Sequence, residues 1–145
     1  MTSKVPTRSP THADIELSRL STMGLEVEDI AEDGEVALPA LVELAEDRGR
    51  PASHYLAAAA LQDVRIAPPA GAKLTVKVCA GTCQRWGALD LLDHLISKPT
   101  VALAPVSCLD RCDLAPACEV HGPHGQLVVA PATVAALDEA LTELA

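Results

Sequence analysis

The sequence predicts an α+β fold in which a β-α-β-β-β-α unit over residues 74–145 follows a short helical segment. Three observations predict it. Apolar residues recur at helical spacing before residue 66 and alternate with polar ones after residue 74. A stretch rich in Pro and Gly separates the two regimes. Four cysteines stand in two short loops, each directly after an apolar strand.

The elements follow in chain order. Residues 1–14 (MTSKVPTRSPTHAD) have no periodicity and the composition of a flexible tail. The helical segment spans 15–66. Within it Ile15 to Leu25 is loosely helical, carried by Ile15, Leu17, Leu20 and Met23, and Gly24 weakens its end. A second helix is expected from Val36 to Asp47, with Leu38, Leu41, Val42 and Ala45 on one face, and Gly49 and Pro51 stopping it. A third is expected from His54 to Val64, capped by Ser53 and carrying Leu56, Ala59, Ala60 and Val64 as its apolar stripe. Residues 67–73 form the linker.

After the linker, Leu74, Val76 and Val78 alternate with Thr75 and Lys77 to make a strand that ends at Cys79. Residues Gly87 to Ile96 carry Leu89, Leu92, Leu95 and Ile96 at helical spacing, closed by Pro99. Val101 to Val106 is a second apolar strand, ending just before Cys108. Cys118–His121 and Gln126–Val129 flank four turn-forming residues and read as a hairpin. Thr133 can cap a last helix through Leu144. A crossover helix between the first two strands makes them parallel, and the final hairpin is antiparallel. This is the order of a small thioredoxin-like sheet.

Composition narrows the function. The only aromatics are Tyr55 and Trp86, so the core is aliphatic and no stacking surface for single-stranded nucleic acid is available. A net charge of -9 opposes binding to phosphate backbones. No segment approaches the roughly 18 apolar residues of a membrane span, and the first residues lack the apolar run of a signal peptide, so a cytoplasmic protein is expected. In a reducing cytosol, cysteines bind metal or do redox chemistry more often than they staple a fold.

Cys79, Cys83, Cys108 and Cys112 form two pairs, CAGTC and CLDRC, each with three residues between its cysteines and with 24 residues between the pairs. Four thiolates satisfy either a tetrahedral zinc ion or a 2Fe-2S cluster. Structural zinc favours tighter two-residue knuckles, which weighs against it. The small residues of CAGTC bring backbone N–H groups near the sulfurs, and a helix starting near Gly87 aims its positive end at the site. Cys118 reads as a small buried hydrophobe rather than a fifth ligand. His121 and His124 read as solvent-exposed hairpin residues. Arg85 and Arg111 flank the cysteines, either tuning them or facing water, and Trp86 packs into the core. No catalytic constellation is present, and a thioredoxin-type dithiol calls for a two-residue spacing.

At CLDRCDLAPACEVHG the chain resembles the thioredoxin-like 2Fe-2S ferredoxins, a family that includes small subunits of NADH:quinone oxidoreductase and of NAD-dependent formate dehydrogenases. Cys108, Leu109, Cys112, Ala115 and Pro116 match the family pattern in place, and Cys79 and Cys83 resemble its first pair. The likeness runs from about Leu74 to Ala145. The first pair is one residue shorter than the family's usual spacing, and the interval between pairs is also shorter. The resemblance implies a one-electron carrier holding a 2Fe-2S cluster, and a non-catalytic subunit beside a flavoprotein of NADH-binding type or another iron-sulfur protein. A freestanding ferredoxin, or a zinc-stabilised or metal-free docking module, is the alternative.

Overall fold

A computed structural model describes residues 17–79, 88–98, 100–106, 117–130 and 132–144. Among them the chain forms five α-helices, a two-stranded sheet and a mixed four-stranded sheet, an α+β architecture. The expected tail at 1–14 lies outside the described residues.

The helical segment is longer and more regular than its sequence pattern. Helix α1 (Leu17–Ile30) buries Leu20, Met23 and Val27, a stripe that continues past Gly24. The helix runs five residues beyond the expected end at Leu25, and Gly24 lies within it. This glycine lies where α1 crosses α3 (Ala52–Leu61), and a Cβ there would stand 3.3 Å from the Ala58 carbonyl oxygen and closer still to the Gln62 side chain. Between these helices come β1 (Glu35–Ala37) and α2 (Leu38–Arg48). Val36 is thus a strand residue, and the second helix starts two residues later than its spacing suggests. Gly49 closes α2 in the left-handed conformation, with its N–H on the Glu46 carbonyl.

Helix α3 is buried on every side from Tyr55 to Ala60, as a helix flanked by α1, α2, α4 and β4 must be. Its run of alanines allows that close approach. The cap differs from expectation: Pro51 occupies the N-cap position with no side-chain bond, and the Ser53 hydroxyl is buried without a partner. Pro51 supplies the extended backbone that starts the helix, which leaves Ser53 inside it. The helix stops at Leu61, and Val64 leads into β2 (Arg65–Ala67), which pairs in parallel with β1. The expected linker therefore begins one residue later, since Ala67 belongs to β2.

Tyr55 anchors α3 to α1. Its hydroxyl donates to Glu26 Oε1 at 3.0 Å and accepts from Arg50 Nη1 at 3.4 Å, while Arg48 Nε lies 2.7 Å from Glu26 Oε2. Burial, then the Glu26 bond, raise the phenol above its ordinary value of 10.0. As pH rises past about 10 the unfolded chain loses this proton first, so the phenol's contribution to stability is full below that pH and declines above it. Tyr55→Phe is expected to cost about 1.5 kcal/mol near neutrality and to flatten the alkaline decline, as measured by urea denaturation across that range.

The larger sheet has the order β4-β3-β5-β6, built from β3 (Leu74–Cys79), β4 (Val101–Val106), β5 (Cys118–Gly122) and β6 (Gly125–Val129). Strands β3 and β4 are parallel, connected through α4 (Ala88–Ile96), and the other neighbours are antiparallel. Val76, Val78, Leu103, Cys118 and Val120 are buried on one face of the sheet, in the same hydrophobic cluster as Leu89, Leu92 and Leu95 of α4 and Leu137, Leu141 and Leu144 of α5 (Val134–Leu144). The other face carries Thr75, Lys77, Glu119 and His121, all partly exposed. At the edge, β4 includes Pro105, which has no N–H to offer, and β2 packs beside it. The same cluster continues through α1, α2 and α3, so the helical segment and the sheet unit share one core.

Thr133 caps α5, its hydroxyl accepting the Ala136 N–H at 3.1 Å, as its sequence position predicts. Thr133→Ala is expected to lower stability by about 1 kcal/mol in thermal or urea unfolding. On the outer surface His94 of α4 lies 2.7 Å from Asp138 of α5, and that bond holds the Asp138 carboxyl below its usual range. No helix among the described residues is long and apolar enough to cross a membrane.

Candidate metal centre

Cys79 is the last residue of β3 and is 2% exposed. Its N–H donates to the Ala117 carbonyl at 3.1 Å, which ties the end of β3 to the residue leading into β5. On its other side Cys79 stands in parallel register with Val106, the last residue of β4. Two parallel strands thus end side by side. Residues 80–87 follow one end, and residues 107–116 connect the other to Ala117. Because α4 returns the chain from the end of β3 to the start of β4, it runs counter to both strands. Its N-terminal, electropositive end faces the same end of the sheet.

Of the four predicted ligands the structure describes Cys79. Cys83, Cys108 and Cys112 lie outside the described residues, as do Arg85, Trp86 and Arg111. Among the described residues no group of three or more His, Cys, Asp or Glu side chains is arranged to hold a metal ion. Of a thiolate ligand set the described residues include Cys79, beside the paired ends of β3 and β4. A buried soft donor at the rim of the sheet, with both cysteine-bearing segments attached to that rim, suits such a cluster.

Cys118 is close to this place and is buried in the same hydrophobic cluster as Cys79, but it sits on a different strand. It pairs with Val78 across the β3–β5 ladder, and paired residues share a face, so it joins Val76, Val78 and Val120 in the core with no exposed surface. Cys79 is one position further along β3, in the alternation of Thr75 and Lys77, but unlike those two it is buried and belongs to the same cluster as Cys118. Burial pushes the Cys118 thiol up to about 12, with the neighbouring Cys79 adding to the effect. Both causes favour the neutral thiol, the form in which cysteine packs as a small hydrophobe.

The histidines are placed elsewhere. His121 pairs with Thr75, four residues back along β3 from Cys79, a separation of about 13 Å at the rise of a strand. Its Nε2 lies 3.2 Å from Glu119 Oε1 on the partly exposed face. His124 sits exposed in the two-residue turn between Gly122 and Gly125. Two contributors went unread in the sequence: the Ala117 carbonyl, which fixes Cys79, and Val106, its in-register neighbour. The alternation Cys118-Glu119-Val120-His121, apolar then polar, carried the signal that assigns Cys118 to the core. No family model matches the chain, and no curated protein matches it.

Proposed function

We propose that this protein is a one-electron carrier of thioredoxin-like fold whose 2Fe-2S cluster is held by Cys79, Cys83, Cys108 and Cys112. The observation that carries the proposal is the parallel pairing of Cys79 with Val106. Cys108 follows Val106 by two residues in sequence, and two residues extend at most about 7 Å. The strand order β4-β3-β5-β6, with a crossover helix and a closing hairpin, supports the thioredoxin-like assignment. A bound cluster of this type gains and loses a single electron. The chain's own part is to supply thiolates, to keep water from Cys79, and to direct the N-terminal dipole of α4 at the site, which favours added negative charge.

The cysteine usage fits a reducing compartment, and we place the protein in the cytoplasm. Its partner is a flavoprotein of NADH-binding type within a larger oxidoreductase, or another iron-sulfur protein. The net charge of -9 favours a basic docking face on that partner. Protein purified without oxygen is expected to be coloured, to contain iron and sulfide in equal amounts, and to give an EPR signal after dithionite reduction. A colourless, EPR-silent protein with stoichiometric zinc would overturn the proposal in favour of a docking module. Co-purification with a flavoprotein under native conditions distinguishes a subunit from a freestanding carrier.

A further inference from the structure

We draw no further inference here: the strongest candidate, the open groove of about 390 Å³ between β2 and β4, lined by Ala102, Ala104 and Val106 together with Glu35, Asp63 and Arg65, carries nothing because nothing in the structure shows what covers it.

Discussion

Cys79→Ala is expected to abolish visible absorption and bring iron content close to zero, while Cys118→Ala, the same substitution at a thiol in the adjoining strand, retains both. The contrast rests on register. Cys79 ends β3 beside the end of β4, whereas Cys118 is paired with Val78 and sealed in the aliphatic layer. On the proposed ligand set, loss of Cys79 removes binding energy that folding and cluster assembly share, so the Cys79 variant is also expected to unfold at lower temperature. The Cys118 variant loses only packing, at a cost of about 1 kcal/mol. Iron analysis and visible circular dichroism read the first effect, and urea unfolding the second. Cluster loss in the Cys118 variant, with retention in the Cys79 variant, would give the ligand role to Cys118 and refute the proposed arrangement.

Truncating the crossover helix has the largest expected effect on stability. Leu92 is fully buried in α4, the helix that packs on β3 and α3 together. Leu92→Ala is expected to cost about 2–5 kcal/mol, the transfer free energy of the lost atoms plus the cavity they leave. Domains of this size are stable by only about 5–15 kcal/mol, so the substitution consumes a large share of that margin. Leu25→Ala is the control. Leu25 is 60% exposed on α1, and its removal is expected to change stability by less than about 0.5 kcal/mol. Similar losses for both variants in denaturant titrations would show that α4 is not a structural centre of the core.

The sheet unit was legible because its signals are local. Strand β3 alternates, Val101 to Val106 is continuously apolar, the hairpin has its turn residues, and Thr133 stands where a cap must stand. Each could be read within a few residues. The pairing of β1 with β2 was not legible, since it joins Glu35 to Arg65 across two helices and each strand is three residues long. No alternation develops over so short a span. Helix α1 was underestimated because Gly24 reads as a weak point near a helix end, when it lies inside the helix and admits the α3 backbone. Ser53 was misread for a related reason: a cap preference is local, whereas the choice between Pro51 and Ser53 depends on where the preceding chain turns. At the candidate site, the sequence showed which thiols travel in pairs. The alternation from Cys118 to His121 also marked Cys118 for the core, and its register with Val78 puts it there.

The parallel ladder between β3 and β4 also changes how cysteine spacing should be read. Six successive residue pairs, from Leu74 with Val101 to Cys79 with Val106, fix the strand ends relative to each other without reference to the length of chain between them. The chain between those ends, residues 80–100, takes no part in that register, so the ends of β3 and β4 lie side by side whatever the interval between Cys83 and Cys108 in sequence.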